Sequence, residues 1–223
     1  MDGNLFIQAI LKFALGVLLA GILVFLPAGT VAFRQGWLFM AVLFVPMFFV
    51  GVALMIKKPE LLKKRLESKE KQKGQSMVVK LSAIMFIAGF IVAGFNFREG
   101  WLVLPESVSV AGAVIFLASY FMYAEVLKEN AYLSRVIEVQ KNQKVIDTGL
   151  YAVVRHPMYS ATLLMFLSMP IILGSLYSFV IFLVYPFIIA KRIKGEEELL
   201  ENELEGYREY KKKVKYKLIP FVW

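Results

Sequence analysis

Long apolar blocks, separated by short charged segments, constrain the fold of this chain more than any other feature. Blocks of about 20 apolar residues match the length of an α-helix that crosses a bilayer. Such segments are expected to be helical, because lipid offers no hydrogen-bond partners to the backbone. With 59% hydrophobic residues, the chain is too apolar for an ordinary soluble domain. The sequence therefore predicts an all-α, polytopic integral membrane protein.

The apolar blocks predict about six transmembrane helices. The first four are expected at residues 5–26, 36–56, 77–97 and 107–127. The last block, 158–191, is too long for one helix and contains Pro170 and Gly174. We therefore predict a helical hairpin there, with short arms at 158–173 and 175–193.

Two polar segments near the C-terminus carry further structural signals. Residues 134–146 mix β-branched and polar side chains, and Asp147-Thr148-Gly149 is typical of a turn. We expect a compact, partly extended segment folded against the membrane face. Residues 196–217 are predicted to form one charged tail helix with an apolar side. That helix is expected to lie along the membrane or to fold back over a site.

Lysine and arginine residues concentrate in segments 57–76 and 128–157 and in the tail after 191. With six spans, all three segments lie on one side of the membrane, and the positive-inside rule makes that side and both termini cytoplasmic. Five spans would instead place the last two basic segments on opposite sides. The net charge of +9 is thus explained by orientation and by anionic lipids, not by nucleic acid. Within the first segment, residues 59–66 have leucines at helical spacing. They are expected either to lie on the membrane surface or to form a solvated connector.

Two polar clusters could carry chemistry, and both are predicted on the cytoplasmic side. His156, the single histidine, precedes Pro157, a residue suited to the first turn of a helix. The N-terminus of that helix is a candidate anion site, although a lone histidine is commonly structural. Arg192 and Glu196 are four residues apart and share a helix face, as an ordinary surface pair also would. Glu197 lies about 100° around the helix from Glu196, so a different role is expected for it.

Several classes of site lack the residues that they need. The chain has no cysteine and one histidine, so we expect neither a thiol nucleophile nor a metal site. No GxGxxG, Walker or GxSxG pattern occurs. The sequence thus gives no support to a P-loop enzyme or a serine hydrolase.

The motifs GLYAVVRHPMY and RIKGEEELLENELEGYREYKKKV, with a closing IP, together resemble the isoprenylcysteine carboxyl methyltransferase family. Its members are integral membrane enzymes that use S-adenosylmethionine, in a superfamily that includes phospholipid N-methyltransferases. The resemblance covers only the C-terminal part of the chain. It implies that residues 1–127 shape a pocket for a lipid-like substrate and that residues 128–223 bind the methyl donor and catalyse the reaction.

The resemblance also implies roles for individual residues. Arg192 is expected near the reacting group of the substrate, and Glu196 in both donor binding and catalysis. The remaining residues implied in donor binding are Gln140, Gln143, Lys144, Val145, Ile146, Tyr151, His156, Pro157, Met158 and Tyr159. The chemistry of the donor agrees with these assignments. A helix N-terminus beside Arg155 and His156 suits its carboxylate, Glu196 its cationic groups, and tyrosines its adenine or sulfonium.

These residues are compatible with more than one membrane function. Methyl transfer to a lipid-like carboxylate needs no general base, whereas transfer to a phospholipid amine would need Glu196 or His156 in that role. An NADPH-dependent membrane reductase is a further alternative, and it would not require a GxGxxG loop. A transporter is disfavoured, because the predicted spans contain almost no ionisable residues. A scaffold would have no need to place His156, Arg192 and Glu196 on one face of the membrane.

Overall fold

The computed structural model describes residues 3–66, 73–134 and 136–223, and helices make up most of them. The helices are α1 Gly3–Ala28, α2 Arg34–Lys57, α3 Pro59–Leu66, α4 Lys73–Glu99, α5 Glu106–Glu129, α6 Pro157–Ile172, α7 Leu176–Phe182, α8 Tyr185–Glu203 and α9 Tyr207–Lys213. A short 3-10 helix, Gly149–Ala152, precedes α6. No β-strand occurs in the parts of the chain that the structure describes. The predicted fold class, a polytopic helical membrane protein, is confirmed.

Five helical segments are long and apolar enough to cross a membrane. They are Leu5–Ala28, Arg34–Lys57, Gln75–Glu99, Glu106–Glu129 and Leu176–Glu203, the last formed by α7 and α8 in succession. The remaining predicted helix, the first arm of the hairpin, corresponds to α6, which is also apolar but shorter, with 16 residues. A helix of this length suits the short arm of the predicted hairpin.

The hairpin turns at Gly174, which adopts the left-handed conformation with φ 69°. Ser175 follows, and its hydroxyl accepts a hydrogen bond from the Ser178 amide at 3.2 Å, which caps α7. The second arm is interrupted between α7 and α8, just before Pro186. Proline lacks an amide hydrogen, so it favours the start of a helix over its interior.

The predicted single tail helix over 196–217 is wrong. Helix α8 continues without a break to Glu203, and α9 begins only at Tyr207. Gly206 lies between them with φ 81°, a conformation that breaks an α-helix and favours glycine. The chain then folds back, and the Arg155 amide donates to the Tyr216 carbonyl at 2.9 Å. Folding back over the site was one of the two expected arrangements.

Helix α4 packs closely against its neighbours because glycines face them. An added Cβ at Gly94 would lie 2.6 Å from the Val24 carbonyl oxygen of α1. At Gly89 it would lie 2.3 Å from the ring of Phe182 in α7, a fully buried side chain. Small residues at such crossings allow transmembrane helices to approach one another closely.

The three basic segments lie together at one end of the bundle. Arg65 in α3 donates to the Ser134 carbonyl at 3.3 Å, and Arg155 donates to the Val214 carbonyl at 2.8 Å. At the opposite end, the Leu104 amide donates to the Gly174 carbonyl at 2.8 Å. The segments are therefore distributed between the two ends as the charge pattern predicted.

Candidate active site

An open cavity lies at the basic end of the bundle, where the segment between α5 and α6 meets the first turn of α6 and the end of α8. It contains about 850 Å³ of empty space, including its open mouth. The lining residues that the sequence singled out are Gln143, Lys144, Val145, Ile146, Tyr151, Arg155, His156, Met158, Tyr159, Arg192 and Glu196. Residues distant in sequence are thus brought together around one cavity.

Two of the residues expected to bind the donor do not line the cavity. The Gln140 side-chain amide donates to the Tyr132 carbonyl at 2.6 Å, and its oxygen accepts from Lys64 at 2.6 Å. Gln140 therefore supports the cavity wall from behind. Pro157 is the first residue of α6 and is buried in the bundle, where it starts the helix that carries Met158 and Tyr159.

The hydroxyl of Tyr159 joins Arg192 to Glu196. Arg192 Nε donates to this hydroxyl at 3.0 Å, and the hydroxyl donates to Glu196 Oε2 at 2.5 Å. Arg192 and Glu196 lie one turn apart on α8, as their spacing predicted. A cation, a phenol and a carboxylate thus meet at the point where the cavity reaches the membrane helices.

His156 and Arg155 take part in a different cluster from the one that the sequence suggested. Both side chains are buried and share one acceptor, Glu197 Oε1, which lies 3.3 Å from His156 Nε2 and 2.7 Å from Arg155 Nε. Arg155 Nη1 also donates to the carbonyls of Val214 and Lys215, at 2.8 Å each. Arg155 therefore fastens the returning tail to α6, and His156 presents only part of its ring to the cavity.

Glu196 and Glu197 have separate partners, as their angular separation predicted. Glu196 accepts from Tyr159 at the cavity, whereas Glu197 is buried against Arg155 and His156. Lys211 and Lys217 also lie within 4 Å of Glu197, at 3.6 and 3.7 Å from Oε2. One carboxylate is available to a ligand, and the other organises the surrounding structure.

Three tyrosines form an aromatic side of the cavity. Asn130 donates to the Tyr151 hydroxyl at 2.8 Å, and the Tyr210 hydroxyl donates to the Tyr151 carbonyl at 2.7 Å. The Tyr207 hydroxyl is buried and has no hydrogen-bond partner among the described residues. Burial raises the pKa of all three phenols above its ordinary value. They are therefore neutral at physiological pH and able to donate hydrogen bonds.

Sequence reasoning missed a large part of the cavity wall. The missed lining residues are Asn130, Tyr132, Leu133, Ser134, Val136, Ile137, Glu138, Leu199, Leu200, Leu204, Tyr207 and Tyr210. Those in 199–210 belong to the apolar side predicted for the tail, which could have indicated them. Those in 130–138 lie in irregular structure and carry no periodic signal.

Helix α3 forms an outer support of this wall. Lys58, which precedes α3, donates to the Lys128 carbonyl at the end of α5 at 2.9 Å. Lys64 and Arg65 of α3 donate to the Gln140 side chain and the Ser134 carbonyl. Residues 59–66 are thus helical and packed against the protein, not a solvated connector. The rest of the first basic segment includes 67–72, which lie outside the described residues.

Residues 107–205 match the family model for phospholipid methyltransferase. The match extends from the start of α5 to just beyond α8, and so includes Tyr159, Arg192 and Glu196. No curated protein matches the chain. The family match indicates a membrane methyltransferase in the general sense, and it supports the superfamily to which the sequence motifs point.

Proposed function

We propose that this protein transfers a methyl group from S-adenosylmethionine to a carboxylate of a lipid-like acceptor in the membrane. One observation carries the proposal: the Tyr159 hydroxyl joins Arg192 to Glu196 where the cavity meets the membrane helices. A soluble donor and a membrane acceptor can meet only at such a boundary. The match to a membrane methyltransferase family supports the same reaction class.

The residues around the cavity fit the chemical groups of the donor. Glu196 supplies a carboxylate for the ammonium or sulfonium, and Tyr151 and Tyr159 supply aromatic faces for a cation or a base. The buried hydroxyl of Tyr207, which lacks a partner in the described protein, provides a donor for a polar atom of the ligand. The first turn of α6 contributes less to anion binding than its position suggests, because Pro157 has no amide hydrogen and the Tyr159 and Ser160 amides donate to the His156 carbonyl at 3.0 and 3.1 Å.

When bound, S-adenosylmethionine supplies an electrophilic methyl group on a sulfonium. The protein's part is to place the acceptor oxygen in line with that methyl group and to exclude water. Arg192 is suited to orient a carboxylate through two parallel hydrogen bonds. A carboxylate that is already ionised needs no general base, so Glu196 acts here through its negative charge.

Donor binding is the first test. Calorimetric titration of the detergent-purified protein with S-adenosylmethionine and with its demethylated product is expected to show micromolar binding, and NADPH to show none. Binding of NADPH instead would move the protein to the reductase class. Binding of neither would remove the methyltransferase proposal.

The role of Arg192 is tested by substitution. Arg192→Gln should abolish methyl transfer while leaving the donor dissociation constant within about twofold, because the lost group orients the acceptor. Lys191→Gln removes the same charge from the adjacent, exposed position and should retain full turnover. Unchanged turnover in Arg192→Gln would exclude Arg192 from acceptor binding.

Methylation of a phospholipid amine is the second candidate, and the family match is equally compatible with it. An amine must lose a proton before it attacks, so its rate should rise with pH, with Glu196 as the candidate base. A carboxylate acceptor should show no such rise above its own pKa. Assays with phosphatidylethanolamine vesicles and with an S-farnesylcysteine derivative would separate the two candidates.

We also propose that the site faces the cytoplasm, which supplies S-adenosylmethionine. This orientation follows from the positive-inside rule, since the three basic segments lie at the cavity end of the bundle.

A further inference from the structure

Arg65 of α3 is a half-buried cation that has no acidic partner among the residues that the structure describes. Its Nη1 lies 3.3 Å from the Ser134 carbonyl and 3.7 Å from Met158 Sδ, and its Nη2 donates to the Tyr123 hydroxyl. The guanidinium also lies over the Tyr123 ring, 5.5 Å from its centroid. None of the ion pairs among the described residues includes Arg65.

The guanidinium therefore retains binding capacity. It has five N–H donors, and the described protein offers it two oxygens and a weakly accepting sulfur. A half-buried guanidinium with unused N–H donors can still bind the oxygens of an anion through two parallel hydrogen bonds. The Tyr123 hydroxyl is a second polar group beside the same position.

Arg65 lies at the rim of the candidate active site. Two of its contacts, Ser134 and Met158, line the cavity. Arg65 contacts Met158, and Arg192 donates to the hydroxyl of the next residue, Tyr159. The two arginines therefore contact consecutive residues in the first turn of α6. Consecutive positions point about 100° apart on a helix, so the arginines reach α6 from different directions.

The depth of α3 suits the polar headgroup of a lipid. Lys12, inside the transmembrane helix α1, extends its amine to the Leu66 carbonyl at the end of α3, at 2.5 Å. Lysines within transmembrane helices reach in this way towards the membrane interface. Arg65 precedes Leu66 and therefore lies at that interface, where the anionic groups of lipids are found.

We propose that Arg65, with the Tyr123 hydroxyl, binds an anionic oxygen group of the acceptor lipid, a phosphate or a carboxylate, and so selects acceptors that carry one. This inference rests on the proposed function, which supplies the acceptor. In it, Arg192 faces the reacting group, and Arg65 determines which lipids reach it.

Binding of single-chain amphiphiles tests the proposal without relying on activity. Dodecyl phosphate, dodecanoate and dodecanol are titrated into the protein in a neutral detergent, and the tighter of the two anions identifies the group. Arg65→Gln should weaken binding of that anion by about tenfold, the range expected for a charge-assisted hydrogen bond. Arg65→Lys should lose less affinity for the anion than Arg65→Gln. The affinity for dodecanol should be unchanged in both variants.

Lys63→Gln is the matched control, because Lys63 is an exposed residue of the same helix and carries the same charge. An equal loss in Lys63→Gln would show unspecific attraction to the basic surface and would overturn the proposal. Unchanged anion binding in Arg65→Gln would also overturn the proposal.

Titration with S-adenosylmethionine separates this proposal from the proposed function. Arg65→Gln is expected to bind the donor as the parent does, which also shows that the variant is folded. Weaker donor binding with unchanged anion binding would assign Arg65 to the donor and overturn the acceptor role. If the parent protein binds no donor, the proposed function is overturned. The anion site is retained if the parent binds the anion and Arg65→Gln binds it more weakly.

Discussion

At the scale of single residues, Glu197 is the buried charge on which the site depends. Its carboxylate is the acidic partner of Arg155 and His156, and the side chains of Arg155 and Glu197 are 4% and 6% exposed. Removal of one partner of a buried ion pair leaves the other uncompensated. The consequence reaches the tail, because Arg155 also binds the carbonyls of Val214 and Lys215.

Glu197→Gln is therefore expected to destabilise the protein by about 3–5 kcal/mol. Thermal unfolding in detergent measures the change. Glu198→Gln alters the neighbouring, exposed carboxylate and should leave the midpoint nearly unchanged. Equal midpoints for the two variants would show that the buried cluster contributes little to stability.

Tyr207 permits a prediction in which stability and binding change in opposite directions. Its hydroxyl is buried without a partner in the described protein, so Tyr207→Phe should leave stability unchanged or raise it by about 1 kcal/mol. If the hydroxyl binds the donor, donor affinity should fall by about threefold to tenfold. Calorimetry and thermal unfolding of one preparation give both quantities.

Tyr210→Phe is the comparison for this prediction. The Tyr210 hydroxyl already donates to the Tyr151 carbonyl at 2.7 Å, so its loss should lower stability. A lower unfolding midpoint for Tyr207→Phe with unchanged donor affinity would exclude the binding role of Tyr207.

At the scale of helices, close packing depends on where glycine faces a neighbour. Gly94→Ala would place a methyl group 2.6 Å from the backbone carbonyl of Val24, which cannot move aside without shifting α1. A cost of about 1–3 kcal/mol is expected from such overpacking. Gly51→Ala, in α2, meets nothing within 4 Å and should be neutral or slightly stabilising. Thermal unfolding distinguishes the two, and similar midpoints would contradict the packing argument.

The helices that the sequence predicted well are those with a strong apolar signal. The blocks around 36–56 and 107–127 match α2 and α5 closely, and the hairpin turn at Gly174 was indicated by its residue type. The tail was mispredicted at Gly206, because one glycine decides between a continuous helix and a break. Its φ of 81° depends on the path of the returning chain, which composition does not encode.

The candidate site was predictable to the extent that its residues lie in recognisable motifs. Arg192 and Glu196 are indicated by their helix spacing, which is a local feature, whereas the role of Tyr159 is implied by the resemblance of its motif to a known family. The contact of His156 with Glu197 could not be predicted from the sequence, because the two side chains meet only after α6 and α8 pack together. The support from Arg65 likewise depends on α3 folding against a segment far away in sequence.

At the scale of the whole molecule, the distribution of charge between the two ends of the bundle predicts its orientation. Helices α3 and α9 lie at the basic end, and the turn with Leu102 lies at the other, where Val103 pairs with Ser175. If the basic end is cytoplasmic, cysteines at Lys63 and Lys212 should be shielded from an impermeant reagent by the membrane. A cysteine at Leu102, which is 55% exposed, should be accessible from outside.

The absence of native cysteine makes this test direct, because each variant carries one thiol. Intact bacterial cells that express Leu102→Cys should react with a polyethylene glycol maleimide, and those with Lys63→Cys or Lys212→Cys should react only after permeabilisation. The cysteine-free parent gives the background. Labelling of Lys63→Cys and Lys212→Cys in intact cells would show that the basic end of the bundle faces the outside of the cell. The candidate site would then face away from the cellular supply of S-adenosylmethionine, which would count against the proposed methyl transfer.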